Sequence, residues 1–381
     1  MEKQVYLDNA ATTPLDTRVL EKMTPYLTDI FGNADSPHAV GRKAMRAVDC
    51  ARDKVAELIC AHQNEVYFTC GGTEADNWAV IGSVLANATA TRRKIVCSPI
   101  EHHAVLSAME RLQKYGFEIV WLPVNEGGRV ELNALKDAID EDTVLVCLML
   151  ANNETGVLQP VKEGVKIAHE KGALFFTDAV QYAPYMPIDV KEIGADLLSF
   201  SAHKFNGPKG VGVLYIKNGV KMEKLVGGGE QERGMRGGTL NVASIVGLAE
   251  AYALTRAEME KNNEKLQRLS AIFLRQLDAL SGIARNGDKD CALPSVLNLH
   301  IDGVENTALL YKTDLLGLCF AAGSACASAS VKPSHVLTAM GFDEKKAKES
   351  VRISFGKCNT EGDALQGAKI FIKAVEELRK F

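Results

Sequence analysis

The apolar positions of the chain change their period twice. Over residues 14–32 they recur at Val19, Leu20, Met23, Leu27 and Ile30, and over 36–58 at Ala44, Ala47, Val48, Ala51, Val55 and Leu58. Each spacing puts an apolar stripe on one helix; Gly32 stops the first, while Ser36 as N-cap and Pro37 in the first turn open the second. From residue 65 short β-branched and aromatic runs (66–69, 94–97, 117–122, 143–150, 173–177, 196–200 and 211–216) alternate with helical stretches such as 74–88, 103–115, 132–139 and 162–171. Near-continuous apolar strands between helices predict an α/β fold, with a mostly parallel seven-stranded sheet covered on both faces.

The style of the chain then changes. A glycine-rich segment, 227–238, leads into a long helical pattern over 242–280 that is polar in its middle. A strand at 296–301, a helix at 305–316, a loop of small residues at 321–330, a strand at 351–355 and a final helix from Glu361 follow. The division expected is a large α/β domain of residues 15–260 and a smaller α+β domain made of 1–14 and 261–381. There is no internal repeat and no low-complexity segment.

In a parallel sheet ligands bind beyond the carboxyl ends of the strands, so the residues that follow each strand come first. Ser199, Phe200, Ser201, Ala202, His203 and Lys204 end one such run and lead into Gly207, Pro208, Lys209 and Gly210. A lysine there suits an amine held against a bound group, and it equally suits an exposed loop charge. Thr69, Cys70, Gly71, Gly72, Thr73 and Glu74 join a strand to a helix start; the glycines let backbone N–H groups approach a phosphate and Thr73 adds a hydroxyl, although a plain N-cap has the same appearance. The spacing is neither that of a Walker loop nor of a dinucleotide fingerprint. Of the adjacent pair His102 and His103 only one ring can face a site, which argues against a metal held by both. Asp178 ends an apolar run with Gln181 three positions on; a buried carboxylate needs a positive partner, and a protonated pyridine nitrogen is one. Phosphate turn, stacking histidine, carboxylate and lysine together match what pyridoxal 5'-phosphate requires of a protein.

Composition narrows the class. The 381 residues carry a formal net charge of −4 with the two signs mixed, which gives no electrostatic ground for nucleic acid or a charged membrane surface. Nine cysteines lack zinc-site spacing, no apolar run reaches bilayer length and the first residues form no apolar leader, so a cytoplasmic protein with free thiols is expected.

The chain resembles the cysteine desulfurases of the nitrogen-fixation and iron-sulfur-assembly type, a branch of the class V aminotransferases. The likeness runs nearly end to end. It is carried by Tyr6, Leu7, Asp8, Asn9, Ala10, Ala11, Thr12, Thr13 and Pro14; by Gly71, Gly72, Thr73, Glu74, Ala75, Asp76 and Asn77; by Ile100, Glu101 and His102; by Asn152, Asn153, Glu154, Thr155 and Gly156; by Thr177, Asp178, Ala179, Val180 and Gln181; by 199–204; and by Gly237, Gly238 and Thr239. Most specific is Gly323, Ser324, Ala325, Cys326, Ala327 and Ser328, which looks like the persulfide-forming loop of the longer-loop group.

The resemblance implies a pyridoxal-phosphate transferase of fold type I, a homodimer, L-cysteine as substrate and a sulfur-acceptor protein such as an iron-sulfur scaffold as partner. It implies Lys204 as the Schiff-base lysine and proton shuttle, His102 stacked on the ring, Asp178 at the ring nitrogen and Gln181 at the phenolic oxygen. Gly72, Thr73, Ser201 and His203 would hold the phosphate, with Thr239 from the other subunit, while Arg352 and Asn153 meet the substrate carboxylate. Cys326 would take the sulfur; it also stands apart on its own, since Cys319 and Cys147 lie in apolar runs that read as core. Asp35, where a serine is usual, His103, where a lysine is common, and the close of the chain at Phe381 depart from the family pattern. A selenocysteine lyase or small-amino-acid transaminase of the same fold, and a non-catalytic sulfur-carrier or scaffold protein, are the rival readings.

Overall fold

In the computed structural model, which describes residues 4–323 and 333–380, seven strands form one sheet. Their order is Val66–Thr69, Gly212–Ile216, Leu197–Ser201, Leu174–Asp178, Thr143–Cys147, Lys94–Cys97 and Glu118–Trp121. From Leu197–Ser201 to Glu118–Trp121 every pairing is parallel, whereas Gly212–Ile216 runs antiparallel to both of its neighbours. The parallel strands therefore present their carboxyl ends along one edge of the sheet.

The apolar runs are continuous because both faces are buried. Val96, Val146, Phe175, Leu198 and Val213 pack with Val48 and Val55 of the helix Ala39–Leu58 on one side. Their neighbours Ile95, Cys97, Leu145, Cys147, Phe176, Leu197 and Leu214 pack with Val105, Met109 and Leu112 of the helix His103–Lys114 on the other. Alternate side chains of a strand thus serve different layers, which a half-polar strand could not do.

A second core forms around the antiparallel sheet Ile283–Arg285, Val296–Ile301 and Ser350–Ser354, with the helix Glu361–Leu378 against it. Val5 and Leu7 at the start of the chain join this core, and Val5–Tyr6 pairs in parallel with Leu318–Cys319. The helix Val242–Leu277 serves both: Ile245, Leu248 and Tyr252 lie in the large core, Leu266, Leu269 and Phe273 in the small one.

Several boundaries differ from the sequence reading for local reasons. The 14–32 stretch is two helices, Thr17–Met23 and Pro25–Thr28, because Asp16 caps the first through the Arg18 N–H and Pro25 opens a new turn. The next helix starts at Ala39, capped by the His38 ring, whose Nδ1 accepts the Gly41 N–H at 3.2 Å, and not by Ser36. No helix among the described residues is long and apolar enough to cross a membrane.

Candidate active site

A cleft opens at the carboxyl edge of the sheet, walled by Ala10 and Ala11 from the first turn of the chain, by post-strand residues and by Arg352 from the small sheet. Lys204 ends the turn Ala202–Lys204 that follows the strand Leu197–Ser201. Its ammonium donates to the carbonyls of Ala10 at 2.6 Å and Ala11 at 2.9 Å. Gln181 Nε2 donates to the same Ala10 carbonyl at 2.8 Å, so both polar groups are oriented against one fixed backbone oxygen.

Asp178, the last residue of its strand, is buried and accepts the Val180 N–H at 2.7 Å. Burial pushes its carboxyl up to about 6, against the Val180 hydrogen bond and the Lys204 charge, which hold it down. Asp76 lines the same cleft, and Glu101 lies behind it, fully buried. His102 caps the helix His103–Lys114 with its own ring, Nδ1 accepting the Ala104 N–H at 3.2 Å. That bond leaves the neutral ring's proton on Nε2. Burial first, then the Lys204 charge, pushes His102 down to about 4, so at neutral pH it is an uncharged aromatic wall.

At one end of the cleft the chain is shaped for an anion. Gly71 has φ +151°, a conformation that side chains disfavour. A Cβ on Gly72 would stand 3.0 Å from Val180 Cγ2 and 3.5 Å from Ser201 Cβ, so only a glycine leaves this wall open. Thr73, Ser201 and His203 line the cleft beside Gly72. The His203 ring is fixed by Thr12 Oγ1 at 3.1 Å from Nδ1 and is pushed down to about 4, by burial and then by Lys204 and Lys209.

At the other end Arg352 is 1% exposed. Nη1 donates to the Asn153 carbonyl at 3.0 Å and Nη2 to Asp8 Oδ1 at 2.7 Å. Arg352 Nε and Asn153 Oδ1 are both buried without a hydrogen-bond partner among the described residues. A buried donor left unmade is costly, and a carboxylate arriving from the cleft would satisfy it.

One of the expected site residues stands elsewhere. Thr239 is exposed, outside this cleft, in the segment that follows Glu232 and Arg233, both of which hold φ in the left-handed region. Cys326 lies outside the described residues. Beyond it Ser334 Oγ donates to Glu154 Oε2 at 2.6 Å, and before it Gly323 lies near the same carboxylate, since an added Cβ would stand 3.2 Å from that oxygen. The eight cysteines among the described residues are all free thiols. Cys147 is buried, while Cys319, read as core, is only partly covered.

Residues 5–366 match the family model of the class V aminotransferases. The chain belongs to that family. Among the class V relatives, the putative cysteine desulfurase IscS 1 of Bacillus subtilis (strain 168) is 47% identical over 99% of this chain and 100% of its own. The cysteine desulfurase IscS of Clostridium botulinum (strain Hall) is 45% identical over 100% of this chain and 96% of its own. Of solved structures, a NifS-like protein superposes with a TM-score of 0.92 at 36% identity, covering 99% of this chain and 100% of that one. SspA in complex with cysteine superposes with a TM-score of 0.83 at 32% identity, covering 93% and 99%. The mostly parallel seven-stranded sheet flanked by helices is thus the class V architecture expected from the sequence.

Within this class V cleft the sequence reading missed Asp8, Asp76, Glu101 and the two alanine carbonyls. Asp8, Asp76 and Glu101 all sit inside the motifs quoted for the family, but nothing in their spacing says that Asp8 meets Arg352, 344 positions away. His103 also has a role no pattern suggested: its ring lies 4.5 Å from that of His335, just beyond the Cys326 segment.

Proposed function

We propose that this class V protein is a pyridoxal-phosphate-dependent cysteine desulfurase, which converts L-cysteine to L-alanine and leaves the sulfur as a persulfide on Cys326. The observation that carries the reading is the joint placement of Lys204, Asp178, His102 and the Gly72 wall around one cleft, with Arg352 at its far end, in a chain similar throughout its length to cysteine desulfurases.

The residues present fit the cofactor. Gly72, Thr73, Ser201 and His203 would hold its phosphate, Asp178 its protonated ring nitrogen, His102 one face of the ring and Gln181 its phenolic oxygen, with Asn153 beside it. When bound, the cofactor supplies an electron sink for bonds broken at the substrate carbons.

The protein's own groups do the rest. Arg352, whose buried Nε has no partner among the described residues, would meet the substrate carboxylate and, with Asn153, fix the amino acid in the cleft. Lys204 Nζ, held at the cleft by the Ala10 and Ala11 carbonyls, would act as a base only as its neutral amine, taking the Cα proton and returning one. The Cys326 thiolate attacks the substrate sulfur; the Cβ–S bond breaks, an S–S bond forms and alanine leaves, so cysteine plus thiol become alanine plus persulfide with no outside oxidant. Thr239 belongs to a homodimer in this reading and reaches the phosphate of the neighbouring subunit. The persulfide passes to an acceptor protein such as an iron-sulfur scaffold, in the cytoplasm. A large domain of 15–260 and a small one of 1–14 and 261–381 belong to this reading, supported by the helix Val242–Leu277, whose first half packs in one core and second half in the other.

The test is incubation of the yellow holoprotein with L-cysteine and a thiol reductant. Alanine and sulfide in equal amounts support the reading, and a 2-oxo acid in place of alanine overturns it. Cys326→Ser keeps the cofactor absorbance and loses sulfide release; normal turnover by that variant removes Cys326 from the mechanism.

A further inference from the structure

Three carboxyl groups are buried around the cleft, and the proposed function uses one. Asp178, Asp76 and Glu101 are 6%, 1% and 0% exposed. Asp178 and Ser199 face each other on adjacent parallel strands, and the Ser199 hydroxyl donates to Asp76 Oδ1. Asp76 therefore stands one strand away from Asp178, and both line the cleft. Glu101 Oε1 accepts the Met149 N–H at 2.7 Å, while Oε2 is buried without a hydrogen-bond partner among the described residues.

The surroundings cannot balance three negative charges. Lys204 is the cation that acts on Asp178, and His102 beside it is neutral. Burial pushes the Cys97 and Cys147 thiols up, and Glu101 adds to the shift, so neither thiol adds a further negative charge beside that carboxyl. Burial, together with the charge of Asp178, pushes the Asp76 and Glu101 carboxyls far above the usual carboxylate range. Hydrogen bonds from Ser199 to Asp76 and from the Met149 N–H to Glu101 act the other way, but like charges brought together out of water raise one another's pKa, which favours a single ionised carboxyl among neighbours.

We propose that Asp76 is a positioning residue that works as a neutral acid: with Glu101 it keeps its proton at physiological pH, leaving Asp178 the one carboxylate that the cofactor's ring nitrogen meets. This rests on the cofactor reading given above. Were Asp76 ionised, it would compete with Asp178 for the ring-nitrogen proton, as paired carboxylates share one proton. The neutral form instead accepts from Ser199 and fixes the strand on which Lys204 follows.

Asp76→Asn tests this, since the amide copies the shape of a protonated acid and keeps the oxygen that Ser199 needs. In the holoprotein, the midpoint of the cofactor's pH-dependent absorbance is expected to stay near that of the wild type in Asp76→Asn. Asp178→Asn moves it strongly, and Asp76→Leu broadens or shifts the band that Asp76→Asn keeps. Loss of an ionised neighbour would instead lower the midpoint by about one unit or more in Asp76→Asn, which overturns the proposal.

A second arm uses chemical unfolding without cofactor. A group whose folded pKa lies above its unfolded value stabilises at low pH and loses that contribution as pH rises. Asp76→Asn should therefore gain stability relative to wild type from pH 4 upward; a relative loss over that range refutes the neutral acid. A wild type that takes up no cofactor sinks the cofactor reading alone, because the unfolding arm still reports on Asp76.

Discussion

Arg352 Nη2 rests 2.7 Å from Asp8 Oδ1, joining a guanidinium that is 1% exposed to a carboxylate that is 18% exposed. The pair spans the small sheet and the first turn of the chain, so the fork is aimed before any substrate arrives. Arg352→Lys keeps the charge and loses both the planar fork and the hold on the Asn153 carbonyl. The Michaelis constant for L-cysteine should rise by about tenfold to a hundredfold, with a smaller change in kcat. An unchanged constant would show that the carboxylate binds elsewhere.

The two cleft histidines give a pH signature in stability. Both are pushed down to about 4 by burial, whereas an unfolded histidine titrates near 6.5. Between those values the unfolded chain binds more protons, so their contribution is fully present above pH 6.5 and is lost as the pH falls toward 4. Each ring accounts for roughly 3 kcal/mol over that window. Urea unfolding of wild type and His102→Gln without cofactor should show curves that converge as the pH drops; parallel curves would mean that His102 titrates normally.

The glycine wall of the cleft separates binding from folding. In Gly72→Ala the new methyl presses on Val180 and Ser201, where the added Cβ would stand 3.0 Å and 3.5 Å from its neighbours. Overpacking of this size costs about 1–3 kcal/mol, and here it falls on the cofactor's place. Equilibrium dialysis should give a cofactor dissociation constant raised by about tenfold or more. A lowered melting temperature with unaltered cofactor affinity would assign Gly72 to packing alone.

Arg52 and Glu232 fix the glycine-rich segment from below. Two guanidinium nitrogens reach Glu232 at 2.8 and 2.7 Å, and the Phe68 N–H donates to the same carboxylate at 2.9 Å. The bonds hold Glu232 and Arg233 in left-handed backbone conformations just before Thr239. Glu232→Ala leaves a buried arginine uncompensated and should cost about 3–5 kcal/mol in unfolding free energy, whereas the double variant Arg52→Met, Glu232→Leu should recover much of it. If Thr239 acts across a dimer, Glu232→Ala also weakens association in analytical ultracentrifugation. A dimer that persists unaltered at matched folding would separate this segment from assembly.

Much of the fold was legible because burial on both faces leaves a signal in every strand. The seven apolar runs correspond to the seven strands of the large sheet, and Lys204, Asp178 and His102 could be placed because each ends or follows one of them. The reversal of Gly212–Ile216 was not legible, since direction leaves no mark on an apolar run. Nor was the pairing of Asp8 with Arg352, which exists only after two ends of the chain have met. Asp76 and Glu101 were hidden for another reason. A carboxyl on a short helix, as Asp76 is, or in the loop before one, as Glu101 is, reads as a solvated charge, and only the contacts of Ser199 and Met149 with them show that they are enclosed.

The reversed strand carries a consequence for anyone wishing to rebuild this chemistry on another scaffold. Because Gly212–Ile216 returns beside Leu197–Ser201, the lysine rides on the connection of a single hairpin, a unit that could be transplanted as one continuous piece of chain. Asp178, His102 and Arg352 cannot be moved that way, since each comes from a separate strand or sheet and keeps its place only through the assembled molecule. A grafted loop would deliver the amine without the groups that give it something to do.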